Sequence, residues 1–302
     1  MWLKQFLTSR SFAVRINNTI TRRFIITAGV PQGAVLSPTL FSIFINDIPI
    51  NYMRNKNYSL LFADDLCSFH IFKKKKTSVK QIQNYLKRIE IWLKTWRLMM
   101  APHKCNYIVF SNNKSKSDDD DLELKLLGTK INKNDNPTFL GIRFDKHLAF
   151  KNQLDYLKQA CMKRVNVLKV LSNKSWGLSV KTLNQVYNSL IRSLLEYSSI
   201  IYPCFSITNL SLLERIQFKC LKIINRKSKF CSNNEIKDTP NYISIQDRFD
   251  ELNLRYIQKN IMSNNEVLID LINDYWSYSE SRELSKRTLF CKYRNELRTI
   301  KN

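Results

Sequence analysis

Acidic residues are scarce in this 302-residue chain, and its first 46 residues contain no aspartate or glutamate. The chain has 49 lysines and arginines against 25 aspartates and glutamates, so its formal net charge is +24 at pH 7. An excess of this size favours a polyanionic partner, because each phosphate contact releases counterions and tightens binding at low salt. Nucleic acid and an anionic membrane surface both fit this charge.

Long apolar runs and paired cysteines are also missing. No stretch approaches the ~20 uninterrupted apolar residues that a membrane-spanning helix needs, and the opening MWLKQFLTSRSF lacks the apolar core of a signal peptide. The seven cysteines are scattered and never form a CxxC pair. This favours an intracellular protein, nuclear or cytoplasmic, with reduced thiols and no disulfide partner. We therefore expect no membrane partner.

The first 50 residues show hairpin, loop and helix patterns in turn. Residues 12–26 alternate apolar and polar side chains around a central Asn-Asn, which predicts a hairpin. A loop rich in glycine and proline follows at 29–33. Ser37 then precedes Pro38, a pair typical of a helix N-cap followed by proline at the first helical position.

Two adjacent acids interrupt an apolar run, LLFADDLCSF at residues 60–69. This pattern predicts a tight hairpin with Asp64 and Asp65 at its tip. Two carboxylates ~4 Å apart repel by roughly 4 kcal/mol at an effective dielectric of ~20, so a buried pair would hold a proton or a cation. Mg²⁺ explains the pair best, since it prefers hard carboxylate oxygens. The alternative is an exposed polar turn, where Asp-Asp is common.

Downstream, helical patterns dominate. A helix with an apolar stripe begins at a predicted capping box from Ser78 to Gln81, and its Trp92 and Trp96 are interpreted as core anchors. A strand at 107–110, a polar loop at 111–121 and a strand or hairpin at 137–144 follow. From about 150 the pattern is helical, with a polar break at 226–240. The sequence thus predicts an α+β fold, with strands and helices followed by a helical C-terminal half.

The segment AGVPQGAVLSPTLFSIFINDIP, followed by LLFADDL, resembles the reverse transcriptases of non-LTR retrotransposons of the jockey-like group. The resemblance implies that Asp64 is the main metal ligand of the turn and Asp65 its lesser neighbour. It implies two Mg²⁺ ions in the complete enzyme. It also places Gln32 and Gly33 near nucleotide and template, although Gln32 could merely satisfy turn backbone groups.

The resemblance continues through LKRIEIWLKTWRLMMAPHKCNYIVFS, PTFLGIRFD and LIRSLLEYSSIIYPCF. Lys104 matches a lysine thought to protonate or neutralise the departing pyrophosphate, although it could be a solvated strand-edge lysine. Leu140 and Gly141 fall in the primer-grip region. The partners implied are an RNA template, a DNA primer and deoxynucleotides.

The same resemblance implies a partial polymerase palm, built of an antiparallel sheet with helices, followed by a helical thumb. The corresponding domains are a truncated palm at 1–112, the palm end and primer grip at 113–150, the thumb at 151–228 and a helical C-terminal extension at 229–302.

One required group is not found at its expected place. The family needs another aspartate from a strand ahead of the Pro-Gln-Gly loop, and the first acid here is Asp47, after that loop. We therefore expect a chain that is catalytically incomplete by itself, with an apolar sheet edge left uncovered. A non-catalytic nucleic-acid-binding remnant and a fragment without biochemical role are the alternatives. Group II intron and retroviral enzymes fit less well, because no CxxC motif and no RNase H-like acidic cluster are present.

Overall fold

The computed structural model describes residues 2–49, 57–71, 75–110, 121–239, 242–279 and 288–301. Helices and short strand pairs are combined, which confirms the predicted mixture of helix and strand. The strands form two-stranded sheets, five of them antiparallel: β1–β4, β2–β3, β5–β6, β8–β9 and β11–β12. The sixth joins β7 and β10. In order, the strands are β1 Arg10–Phe12, β2 Arg15–Ile16, β3 Thr19–Ile20, β4 Phe24–Ile26, β5 Asn57–Phe62, β6 Asp65–His70, β7 Asn106–Tyr107, β8 Lys125–Leu126, β9 Thr129–Lys130, β10 Asn132–Lys133, β11 Thr138–Phe139 and β12 Ile142–Arg143.

Helices occupy most of the C-terminal half, as the sequence predicts. A π-helical turn, Asn188–Arg192, joins α5 to α6, and 3₁₀ turns cover Pro102–Lys104, Lys174–Trp176 and Ser199–Cys204. The α-helices are α1 Trp2–Leu7, α2 Ser37–Ile45, α3 Lys75–Thr95, α4 Lys151–Leu171, α5 Val180–Tyr187, α6 Ser193–Tyr197, α7 Ile207–Ile224, α8 Asn233–Lys237, α9 Ile245–Met262, α10 Glu266–Ser279, α11 Leu289–Lys292 and α12 Arg294–Lys301.

The chain divides into two compact units. The first unit comprises the described residues up to Cys105 together with Asp121–Asn132. The second comprises residues 106–110 and the described residues from Lys133 onward.

The first unit has a small apolar core between α2, α3 and the β5–β6 hairpin. Ile45, Tyr85, Ile89 and Trp92 are buried in it, and Leu61 packs against them from the hairpin. The apolar stripe predicted for α3 is therefore a core face, and Trp92 is a core anchor as expected.

Two predicted helix starts are wrong. Ser37 lies inside α2, with Leu36 at the N-cap, and its hydroxyl donates to the Pro31 carbonyl oxygen at 2.5 Å instead of capping the helix. Helix α3 already begins at Lys75, so Ser78 cannot be its N-cap. At both positions a serine ahead of a helical pattern is not sufficient to fix the first residue of the helix, because contacts elsewhere in the fold also determine it.

Three other predictions have different outcomes. The strand predicted at 107–110 is limited to Asn106–Tyr107. The strand or hairpin predicted at 137–144 is the β11–β12 hairpin. The polar loop predicted at 111–121 lies almost entirely outside the described residues.

The described residues of the second unit form a helical bundle with two apolar clusters, of which the larger lies between α4, α5, the π-turn and α7. Leu157, Val165, Leu183, Ile191 and Leu213 are all buried, and they come from α4, α5, the π-turn and α7. The 3.6-residue spacing of these apolar positions explains the bundle, since each helix presents one stripe to its neighbours. None of the helices in the described ranges is long and apolar enough to cross a membrane. No disulfide joins the cysteines of this described part of the chain.

An ion-pair network ties α6 to α9 within the second unit. The Glu196 carboxylate accepts hydrogen bonds from Arg192 Nε at 2.7 Å and from Arg248 Nε at 2.8 Å. Burial opposes ionisation of Glu196, but the two guanidinium groups outweigh it and hold the pKa of this carboxyl below its ordinary value. Arg248 also donates to the more exposed Glu251 at 2.8 Å.

We predict that Glu196→Gln destabilises the second unit by about 2 kcal/mol at pH 7, because two guanidinium groups lose their charged, half-buried acceptor. Since the folded-state pKa is lowered, the contribution of Glu196 is present above the ordinary carboxyl pKa and is lost as the pH falls through the folded value. Urea unfolding from pH 7 to pH 3 measures both effects.

Glu251→Gln is the matched control. The Glu251 side chain is 43% exposed, so its ion pairs are screened by solvent and a smaller loss is expected. Equal losses for the two variants would contradict the role given to Glu196.

Candidate active-site hairpin and neighbouring motifs

The two adjacent acids lie at the tip of the β5–β6 hairpin, as the sequence predicts. The cross-strand register runs from Tyr58 opposite Phe69 to Phe62 opposite Asp65, which leaves Ala63 and Asp64 as a two-residue turn. Ala63 has a φ of 51°, the left-handed value that primed hairpin turns use to match the strand twist. The two apolar strands and the short turn between them therefore fix the two acids at the tip of the hairpin.

Both carboxylates face water. Asp64 and Asp65 are exposed, and within the described ranges neither makes a hydrogen bond or ion pair with another side chain. Placing the acids at an exposed tip avoids the cost of burying two like charges. The arrangement leaves their oxygens available to a ligand.

The donor set suits Mg²⁺ in type but is small in number. Among the described residues, no group of three or more histidine, cysteine, aspartate or glutamate side chains is placed to hold a metal ion. Mg²⁺ is commonly held by one or two carboxylates together with substrate phosphates and waters. Asp64 and Asp65 fit that mode of binding, in which the remaining ligands come from outside these two residues.

The face of the hairpin that is directed away from α3 is apolar and exposed. Leu60, Phe62 and Phe69 are 42%, 65% and 37% exposed, and strand alternation puts Asp65 on this same face. The acids therefore stand beside an apolar surface.

The other face fixes the hairpin to α3 through a polar cluster. Ser59, which is buried, lies 3.2 Å from the Ser68 hydroxyl, and Ser68 lies 2.8 Å from His70 Nε2. The His70 ring meets the Tyr85 ring of α3 edge to face, with centroids 5.8 Å apart. Burial lowers the pKa of His70, because the charged imidazolium is poorly solvated there. His70 therefore has a structural role on this face of the hairpin.

The Pro31-Gln32-Gly33 loop is held at both ends by side chains. The Arg10 guanidinium donates to the carbonyl oxygens of Ala28, at 3.4 Å, and of Gly29. Ser37 holds the other end through Pro31. These two anchors were not predicted, because a lone arginine in a strand pattern carries no signal of its partner.

Within the loop, Gln32 and Gly33 are exposed. Gly33 has a φ of +81°, a left-handed conformation that disfavours any other residue, and no atom lies within 4 Å of where a Cβ would be. The glycine is therefore required by backbone conformation and not by lack of space.

Lys104 ends a 3₁₀ turn that begins at Pro102, and its side chain is exposed. The backbone N–H of Lys104 donates to the Ala101 carbonyl oxygen at 3.0 Å. Five of the predicted site residues lie in the first compact unit, namely Gln32, Gly33, Asp64, Asp65 and Lys104.

The remaining two, Leu140 and Gly141, lie in the second compact unit and form the two-residue turn of the β11–β12 hairpin. Both have left-handed φ values, 46° and 75°. This is the pattern of a type I′ turn, which explains the glycine at the second position.

Asp47, the one acid ahead of the hairpin in the sequence, is engaged elsewhere. Its two carboxylate oxygens accept hydrogen bonds from the indole N–H groups of Trp92 at 2.9 Å and Trp96 at 3.1 Å. Asp47 therefore anchors Trp92 of α3 and Trp96, the residue after α3, to the end of α2. Trp92 is buried as predicted, whereas Trp96 is 39% exposed, so the prediction that it is a core anchor is wrong.

Comparison with known proteins gives a consistent result. Residues 1–144 match the family model described as "Reverse transcriptase (RNA-dependent DNA polymerase)". Over 95% of its length the chain is 25% identical to the probable RNA-directed DNA polymerase from transposon BS of Drosophila melanogaster, covering 31% of that protein. It is 24% identical over 85% of its length to the RNA-directed DNA polymerase from mobile element jockey of the same organism, covering 28% of it. The chain thus spans about a third of the length of the curated relatives it matches. No solved structure matches it.

Proposed function

Since residues 1–144 belong to the reverse transcriptase family, we propose that this chain is part of the RNA-directed DNA polymerase of a non-LTR retrotransposon. The observation that carries this proposal is the exposed Asp64–Asp65 pair at the tip of the β5–β6 hairpin, inside the matched region. The substrates would be deoxynucleotides, a DNA primer and an RNA template.

Asp64 and Asp65 would hold Mg²⁺ at the hairpin tip, with Asp64 as the main ligand. When bound, a pair of such ions activates a primer 3′-hydroxyl and stabilises the leaving oxygen of phosphoryl transfer. The role of the chain is to keep the two carboxylates exposed and fixed. Their place at the hairpin tip exposes them, and the packing of the hairpin on α3 fixes them.

Three further residues would contact the nucleotide, the template or the departing pyrophosphate. The backbone of Gly33 is open to close approach, because nothing lies near its missing Cβ. Gln32 beside it offers an exposed amide for hydrogen bonding. The exposed ammonium of Lys104 would neutralise charge on the departing pyrophosphate.

The proposed architecture is a partial palm at 1–112, a primer-grip region at 113–150, a thumb at 151–228 and a helical extension at 229–302. The two-residue turn of Leu140 and Gly141 would contact the primer. In support, a helical bundle begins at α4, directly after the β11–β12 hairpin.

A second function is favoured by a different observation. The net charge of +24 would attract phosphate groups whether or not Asp64 and Asp65 bind a metal ion. Two carboxylates are also too few to form a metal site without other ligands. A non-catalytic nucleic-acid-binding protein would retain phosphate contacts and lack metal-dependent chemistry.

We predict that Mn²⁺, used as a paramagnetic substitute for Mg²⁺, broadens the amide resonances of residues 62–67 in the intact chain. Replacing both acids, Asp64→Asn with Asp65→Asn, should weaken this effect by roughly 10-fold or more, because the amide oxygens carry no charge. Asp135→Asn, at an exposed aspartate of the second unit, is the matched control and should change nothing at the hairpin.

Binding of an RNA–DNA duplex, measured in parallel at several salt concentrations, separates the two functions. Both functions predict a clearly negative slope of log affinity against log salt, which the double asparagine variant retains. Equal broadening in the parent and the double variant would refute the metal site and leave the binding function, and a slope near zero would refute both.

We also predict that acidification loosens the hairpin. The folded-state pKa of His70 lies below its ordinary value of 6.5, so the unfolded chain takes up the proton first as the pH falls. Stability is therefore full above about pH 6.5 and declines below it, towards the folded pKa. Urea midpoints between pH 7.5 and 5.5 should fall in the parent.

His70→Asn should flatten this decline, whereas His103→Gln, at an exposed histidine, should not. A decline that is the same in His70→Asn and in the parent would show that another group is responsible.

A further inference from the structure

The turn at Leu140 and Gly141 is conformationally costly as it stands. Leu140 has a φ of 46°, a left-handed value that residues with a Cβ rarely adopt. Such a conformation persists when surrounding contacts impose it, and it is often found where a backbone must be held in place. Contacts from the rest of the fold are therefore expected to hold this turn in place.

One side chain from a distant part of the sequence fastens the turn. The Tyr197 hydroxyl donates a hydrogen bond to the Leu140 carbonyl oxygen at 2.7 Å, across 57 residues. The ring lies against Gly141, since a Cβ added there would be 3.4 Å from Tyr197 Cε1. One tyrosine thus contacts both residues of the turn.

Core packing does not explain Tyr197. Its side chain is 63% exposed, which is unusual for an aromatic ring that serves the interior. It is the last residue of α6, directly after Glu196, whose ion pair with Arg248 fixes that helix to α9. The tyrosine therefore extends from a rigid helix end to the turn.

The strand that follows the turn is attached separately, to α4. The backbone N–H of Arg143 donates to the buried Gln153 side-chain oxygen at 3.0 Å, and the Arg143 guanidinium lies 4.4 Å from the centre of the Tyr156 ring. With Tyr197 at the tip and α4 along the strand, the β11–β12 hairpin is held at two points. Removing one point would allow the tip to move while the base stays fixed.

We infer that Tyr197 is a positioning residue that locks the Leu140–Gly141 turn onto the helical bundle and so fixes where a primer 3′ end is held. The inference rests on the proposed function, because the primer is the ligand assigned to this turn. The tyrosine itself acts through the backbone of Leu140 and is not a catalytic residue.

The test compares Tyr197→Phe with Tyr256→Phe, a tyrosine of similar exposure on α9, in the full chain. Amide hydrogen exchange of residues 138–144 should accelerate roughly 3- to 10-fold in Tyr197→Phe, the range expected for loss of one hydrogen bond, and remain unchanged in Tyr256→Phe. Gly141→Ala, which strains the same turn and crowds the same ring, should give an independent acceleration at the same amides.

Binding supplies the second readout, with an RNA–DNA primer–template that has a recessed 3′ end and a blunt duplex of equal length as probes. We expect Tyr197→Phe to lose affinity for the recessed end by about 3-fold or more, with the blunt duplex unaffected. Unchanged exchange would overturn the lock itself. Faster exchange with equal effects on both probes would overturn its role in holding the primer. Failure of the parent to bind either probe would instead refute the proposed function.

Discussion

Like-charge repulsion between Asp64 and Asp65 is the constraint on which the first compact unit depends. Two carboxylates held ~4 Å apart at an effective dielectric of ~20 would repel by roughly 4 kcal/mol, and in a drier setting by more. A hairpin tip relieves this repulsion because both groups stay in water, while the strands behind them bury Leu61 and Leu66 against α3. The same exposure that makes the pair tolerable makes it available to a divalent cation. Structural stability and metal binding therefore require the same placement.

The second unit has a different structural role, which is to hold a small turn in place. Its bundle is cross-linked by buried polar contacts: Gln217, for example, accepts from the Tyr187 hydroxyl at 2.9 Å and donates to the Ile243 carbonyl oxygen at 2.8 Å. Such interhelical bonds restrict sliding, because a shifted helix would leave a buried amide without partners. The Leu140–Gly141 turn is attached to this rigid part of the molecule, and a ligand bound at the turn would be held by the bundle as a whole.

The sequence predicts those features that depend on residues close together in the chain. An apolar run interrupted only at Ala-Asp-Asp is sufficient to predict the β5–β6 hairpin, and helical spacing is sufficient for α4 and α7. It fails where a side chain has two possible partners. Ser37 has the chemistry of an N-cap but binds the Pro31 carbonyl oxygen, and only the folded chain decides between them. Tyr197 carries no local signal at all, because its partner is 57 residues away. The proposed roles of Asp64, Lys104 and Gln32 rest on the resemblance to the reverse transcriptase family, because a single sequence does not distinguish one exposed polar residue from another.

The most direct test of the central claim, that Asp64 belongs to a polymerase metal site, is primer extension on an RNA template with Mg²⁺. The protein tested would include the strand, fingers and further aspartate that the family places ahead of the Pro-Gln-Gly loop, so that Asp64 is tested in a complete catalytic site. The account predicts extension that Asp64→Asn abolishes and Asp135→Asn leaves intact. Extension by the Asp64→Asn protein at the rate of its parent would contradict it.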